Sequence, residues 1–381
     1  MKVSRNLDTI YKYISSKGYK YEKSIIESLY LSLKTFPMVV IGGECGSGKS
    51  SLARLFAEGC GATDTNGRFK FVSVSSDWDS PARLLGYVNP EGKFVPGIIS
   101  DYIQEASKDC EKPYFLCLDE INLSRPEHYM SHILSALERR SFDNDGKINS
   151  QSLLDSSCFG GDISAKYSYS GLSIPDNLYI LATMNYDDIS YVLSPKFIDR
   201  VFFIDLKSES LELDLLREKY YEETPYEADN AFLKSEYISI PDLKSDLEFL
   251  QSYTIFWNNF NKLLTLDTAK MSYRTRNEIL FYIAYTRKYK LFDTDSATDL
   301  IILQKILPRI SGMSTYVENT LKAVFGVCVG EPNMRSDEYV KSAHNMQLTV
   351  LNHKCRYPRS ANKIIKMMRK YEEEGYTGFW F

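Results

Sequence analysis

Apolar residues follow two different rhythms along this chain, and the change falls near residue 207. Before it, five short runs are largely apolar: 35–41 (TFPMVVI), 69–74 (FKFVSV), 114–120 (YFLCLDE), 178–185 (LYILATMN) and 201–206 (VFFIDL). Runs of this length predict strands, and the unbroken ones suit a parallel sheet covered on both faces. Helical spacing lies between them. Residues 21–35 place Ile25, Ile26, Leu29, Leu31 and Leu33 along a helix, residues 50–59 form a second ending at Gly59, and 98–107 and 127–140 read as two more. An Asn89-Pro90-Glu91-Gly92 turn between 86–88 and 93–95 predicts a small hairpin. Residues 141–171, rich in Ser, Asp and Gly, read as a long loop with room for a hairpin. Residues 1–22 are polar and mildly helical.

Beyond residue 207 the strand-like runs stop. Helical periodicity runs through 211–220, 245–264, 274–289, 299–310, 315–325 and 359–375, while 345–352 fits a strand or a helix equally. The expected organisation is a short N-terminal extension (1–22), an α/β domain (23–206) with a hairpin insertion at 75–97 and a loop at 141–175, and an α-helical domain (207–381).

Composition narrows the class without changing it. With 381 residues, 44% hydrophobic and 25% charged, the chain can build more than one core. The formal net charge of −4 gives no global basic footprint for nucleic acid. Seven scattered cysteines without a CxxC pair point to reduced thiols. No apolar leader and no run of about 18 apolar residues is present, so a cytoplasmic location and no membrane span are expected.

The chemistry concentrates at the ends of the apolar runs. Gly43-x-x-x-x-Gly48-Lys49-Ser50 sits between a strand and a helix. That arrangement turns successive backbone N–H groups and a helix N-terminus toward a phosphate. Cys45, Gly46, Ser47, Gly48, Lys49, Ser50 and Ser51 are the candidate nucleotide contacts, with Lys49 able to reach the β- and γ-phosphates and Ser50 able to ligate Mg²⁺. Asp119-Glu120 closes the next buried strand, facing the crevice where α/β folds bind ligands. There Asp119 can hold Mg²⁺ through water and Glu120 can polarise the attacking water. Asn185 ends a further strand and can orient the same water. Arg200 follows a short helix with Pro195 at its first position. It reads either as a surface residue satisfying that helix or as an arginine finger for a neighbouring subunit. His128 and His132 are four apart, but a third ligand and the HExxH pattern are absent, so no metal site is read there.

Phosphate loop, acidic strand, Asn-ended strand and terminal arginine, followed by helices, resemble an AAA+ NTPase module with an α-helical lid. The finer resemblance is to the McrB-like branch, the motor subunits of modification-dependent restriction systems. It rests on LSLKTFPMVVIGGECGSGKSSL, SDWDSPARLLGYVNPEGKFVPG, YFLCLDEINLSRPEHYMSHILSALE, ATMNYDDISYVLSPKFIDRVFFIDL, MSYRTRNEIL, LQKILPRISG and YPRSANKIIKMMRKYEEEGYTGFWF, from about residue 22 to the last.

The resemblance implies GTP or ATP as substrate with Mg²⁺, a homo-oligomeric ring (a hexamer), a McrC-like nuclease partner and DNA reached through the assembly. By it Asn185 is the sensor asparagine, Asp188 the acid of the same segment, Arg200 the finger, and Arg274 the lid arginine, with Arg276 as its alternative. The chain departs from the pattern in two places. Only about 22 residues precede the module, too few for a DNA-reading domain, and the M-N-T-A-D segment reads Met-Asn-Tyr-Asp-Asp. The alternatives are a MoxR-like ATPase that remodels proteins without DNA, and a non-hydrolysing scaffold, which Lys49 and Glu120 disfavour.

Overall fold

The computed structural model describes residues 2–186, 191–207, 223–330, 342–352 and 355–380. Two compact units are present: Lys2–Arg200 with Leu206–Ser239, and Ile240–Phe381 with Val201–Asp205.

The strands are β1 (Met38–Gly43), β2 (Phe69–Ser73), β3 (Gly86–Val88), β4 (Phe94–Pro96), β5 (Tyr114–Asp119), β6 (Ser141–Phe142), β7 (Ile148–Asn149), β8 (Leu178–Asn185) and β9 (Phe202–Leu206). Five of them form one sheet in the order β2-β5-β8-β1-β9. The pairs β1–β8, β2–β5 and β5–β8 are parallel, so the C-terminal ends of β1, β5 and β8 lie along one edge. β1 and β8, both covered on two faces, are buried at all but one position. That is why their sequences show no alternation.

The first unit's helices are α1 (Lys2–Ser16), α2 (Lys23–Thr35), α3 (Lys49–Gly59), α4 (Ala82–Leu85), α5 (Ser100–Lys108), α6 (Pro126–Tyr129), α7 (Ser131–Glu138), α8 (Ile163–Tyr169) and α9 (Pro195–Ile198). The N-terminal segment is more than a polar extension. Leu7, Ile10 and Ile14 make a buried stripe on α1, spaced three and four apart as a helix face requires. α1 lies so close to α3 that a Cβ on Gly59 would sit 2.9 Å from Ile10 Cγ2.

The helix expected over 127–140 is two helices, α6 and α7, which meet at Met130, where φ is −100° and ψ 7°. His132 is committed locally, its Nδ1 lying 2.9 Å from the Leu153 carbonyl oxygen.

The hairpin and the long loop pack together. β3 and β4 pair antiparallel. Phe94 packs on Phe159 and Tyr169, with ring centroids 5.0 and 5.5 Å apart. The Asp162 carboxylate accepts from Phe94 N at 3.1 Å, and Asp162 also caps α8.

The second unit holds α10 (Leu247–Leu263), α11 (Tyr273–Tyr289), α12 (Thr294–Ile301), α13 (Thr315–Cys328), α14 (Ala343–Asn352) and α15 (Pro358–Glu374). α14 settles the ambiguous stretch as a helix, with Met346 and Thr349 inward. The helical run read at 211–220 lies outside the described residues. Val201–Asp205 packs within this unit: Phe202 stacks on Tyr282 at 5.9 Å, Phe203 meets Trp380 at 4.6 Å, and Lys363 reaches Asp205 at 3.2 Å. Lys305 is wholly buried on the π-helical turn Ile302–Ile306. Its ammonium pairs with Glu278 at 2.6 Å and donates to the Val201 carbonyl at 2.9 Å. A buried charge is tolerated only with such partners. Among the described residues no helix is long and apolar enough to cross a membrane.

Candidate functional site

The end of β1 and the start of α3 frame the loop. Gly46 and Gly48 take φ of 79° and 87°, a left-handed backbone that a side chain would strain. Lys49 is 6% exposed, and its ammonium donates to the carbonyls of Gly43 at 3.1 Å and Glu44 at 2.6 Å. Ser47 Oγ is buried without a hydrogen-bond partner.

The acidic strand stands beside this loop. Ser50 Oγ donates to Asp119 Oδ1 at 2.6 Å, and Thr183 Oγ1 donates to the same oxygen at 2.7 Å. The Thr183 hydroxyl also accepts from Glu120 N at 3.0 Å. Glu120 holds a left-handed backbone, φ 56° and ψ 53°, costly for a residue with a Cβ and stable only where its surroundings hold it. Asn185 Nδ2 donates to Glu120 Oε1 at 2.7 Å. The register explains the grouping: β5 and β8 run parallel with Leu118 opposite Ala182. Thr183 and Asn185, two residues apart, emerge on one face of β8.

A cavity of ≈ 400 Å³ joins these parts. Its lining is Tyr19, residues 45, 46 and 48–51 of the loop, Asp119, Glu120, Thr183 and Asn185. The structure therefore brings together Cys45, Gly46, Gly48, Lys49, Ser50, Ser51, Asp119, Glu120 and Asn185. Gly43 and Ser47 are not in the lining, and the Gly43 carbonyl accepts from Lys49. Arg200 is not in the lining; its guanidinium pairs with Glu138, which is itself mostly buried. Arg274 and Arg276 lie in the first turn of α11, in the helical unit, and Arg276 donates to Asn277 Oδ1 at 2.8 Å. Asp188 lies outside the described residues.

Two contributors were not apparent from the sequence. Thr183 is the polar residue inside LYILATMN, and its period-two relation to Asn185 is the signal that finds it. Tyr19 belongs to no motif. It reaches the site because Ser51 Oγ donates to its hydroxyl at 3.1 Å.

The donor set suits Mg²⁺. A serine hydroxyl and one carboxylate oxygen are hard ligands, and this ion takes one or two of them with water and phosphate completing the shell. Among the described residues no group of three or more His, Cys, Asp or Glu side chains could hold a metal, so a closed protein cage is not what this site offers. Cys117, buried in β5, has its thiol pushed up by desolvation first and by the Asp119 charge second, which keeps it protonated and inert.

Residues 38–201 match the family model described as AAA domain (dynein-related subfamily), and residues 221–376 match one described as Domain of unknown function (DUF8727). The first match holds every residue of the cavity lining except Tyr19. No curated protein matches the chain. Among solved structures, the crystal structure of a "putative ATPase" from Cytophaga hutchinsonii ATCC 33406 is similar at 15% identity over 81% of this chain and 88% of that one, with a TM-score of 0.45.

Proposed function

We propose that this P-loop NTP hydrolase of AAA+ fold works as the motor subunit of a ring of identical copies. The observation that carries the reading is the placement of Glu120. Its carboxylate is aimed by Asn185 and its backbone is held by Thr183, beside a loop able to bind a triphosphate. Lys49 and the loop N–H groups hold the β- and γ-phosphates. Ser50 and Asp119 would hold Mg²⁺, which when bound draws charge from the phosphate oxygens. Glu120 takes the proton of the attacking water and Asn185 fixes that water's approach. Among the described residues that line the cavity, Lys49 is the only cation. Arg200 of the adjacent copy is the group we assign to the charge that develops on the γ-phosphate, with Arg274 as a further cation, and Asp188 is assigned as the acid of the Asn185 segment.

The finer reading is a McrB-like restriction motor, in which hydrolysis drives DNA translocation together with a McrC-like nuclease. The sequence stretches quoted above support it, because they run through both units. The test is hydrolysis of GTP and ATP with and without duplex DNA and the product of the adjoining gene. Stimulation by both supports the restriction motor. Hydrolysis indifferent to both, yet accelerated by an unfolded or metal-free protein substrate, moves the chain to the MoxR-like reading. No hydrolysis under any condition would remove the motor altogether.

A further inference from the structure

We infer that Tyr19 is the stacking surface for the nucleobase, and that it supplies base-tolerant affinity from outside the segment that matches the AAA domain. The inference rests on the nucleotide-binding reading above and adds the residue that holds the nucleoside.

Among the described lining residues Lys49 is assigned to phosphate, Ser50 and Asp119 to the metal, Glu120 and Asn185 to water, and Thr183 to holding the Asp119 carboxylate and the Glu120 backbone. Among the described lining residues Tyr19 is the one aromatic. Its ring is fixed from two sides. The hydroxyl accepts from Ser51 Oγ, one residue beyond Ser50. One face lies against Tyr21, with ring centroids 5.9 Å apart and planes 11° from parallel. Tyr21 is buried and donates its own hydroxyl to the Gly48 carbonyl at 2.8 Å. Two tyrosines are thus tied to consecutive parts of the phosphate loop, the inner one covered and the outer one half-exposed in the cavity wall. A ring held this way loses little freedom when a base stacks on it. Every base has a π-face, so such a platform adds affinity without choosing between adenine and guanine.

The test measures binding to the full chain of ATP, GTP and inorganic tripolyphosphate, which has the phosphates and no base. Tyr19→Ala is expected to weaken ATP and GTP by the same factor, about tenfold, and to leave tripolyphosphate unchanged. Tyr19→Phe keeps the ring and its contact with Tyr21 but loses the Ser51 bond, so it is expected to fall between the unaltered chain and Tyr19→Ala for both nucleotides and to leave tripolyphosphate unchanged. In the Tyr19→Trp variant the indole fluorescence should change on adding ATP or GTP and not on adding tripolyphosphate, a readout that survives if the alanine variant folds poorly. Equal weakening of tripolyphosphate would reduce Tyr19 to a prop for the loop and overturn the inference. So would unchanged nucleotide binding in Tyr19→Ala. If the unaltered chain binds neither nucleotides nor tripolyphosphate, and Lys49→Ala makes no difference, the nucleotide reading itself has failed.

Discussion

Asn185 Nδ2 donates to Glu120 Oε1 at 2.7 Å, across the ends of two neighbouring parallel strands. The bond fixes the carboxylate of a residue whose own backbone is strained, so the rotamer of Glu120 depends on Asn185. General-base catalysis needs that geometry before it needs a suitable pKa. Asn185→Ala is therefore expected to lower kcat by about 10²-fold while nucleotide affinity changes little. Asn185→Asp should be worse, because like charges would then face each other. Steady-state hydrolysis beside equilibrium binding checks this; an Asn185→Ala protein with unaltered kcat would separate the amide from catalysis.

Thr183 and Ser50 both donate to Asp119 Oδ1. When Ser50 turns to a metal ion, Thr183 keeps its bond and holds Asp119 in place. Thr183→Val has nearly the same shape and removes that donor. A lost hydrogen bond to a charged acceptor is worth about 1.5–3 kcal/mol, so the Mg²⁺ concentration for half-maximal effect should rise about tenfold or more. Thr183→Ser should restore it. The measurement is a Mg²⁺ titration of nucleotide affinity as well as of hydrolysis. A right-shift in both is expected, and no shift in either would leave Thr183 as a core residue only.

Much of this arrangement could be read from the chain. The apolar runs at 35–41, 114–120 and 178–185 give strands β1, β5 and β8, because unbroken apolar sequence between turns suits a doubly covered sheet. The motif residues then fall at one sheet edge by topology alone. What escaped has a different physical origin. Thr183 matters through cross-strand register, which no single strand displays. Tyr19 matters through a hydroxyl bond to Ser51, 32 residues away. The stripe on α1 was diluted by the polar and charged residues around it, and the break at Met130 has neither proline nor glycine beside it. The packing of Phe94 on Phe159 and Tyr169 joins the hairpin to the loop at 141–171, a contact between residues far apart in sequence that local pattern does not display.

Gly43 is required for space. A Cβ placed there would lie 2.4 Å from the Leu206 carbonyl oxygen and 2.8 Å from Ser47 Oγ. The serine can turn away, but the Leu206 backbone cannot. Gly43→Ala is expected to cost about 1–3 kcal/mol of stability, with a lowered Tm. It should also weaken tripolyphosphate and nucleotide alike, since the loop itself shifts. Unchanged melting and unchanged binding would mean that β1 and Leu206 separate more easily than their spacing indicates.

Arg200 decides whether the site is complete in one chain. Within the chain its guanidinium is paired with Glu138 rather than with any residue lining the cavity. A residue so placed can still serve a neighbour's site, because a heterologous ring contact brings a different surface to each cavity. Arg200→Ala and Glu120→Gln should each assemble and each hydrolyse poorly alone. Mixed before assembly, they give some contacts in which an intact Glu120 cavity meets an intact Arg200. With equal amounts and random mixing, about a quarter of the contacts are of this kind. Hydrolysis in the mixture should therefore rise well above either variant alone, towards that fraction of the unaltered activity. If Arg200 acted on its own chain's cavity, every contact would lack one group and mixing would restore nothing. A mixture no more active than its components, with rings present by sedimentation, would rule out the shared site.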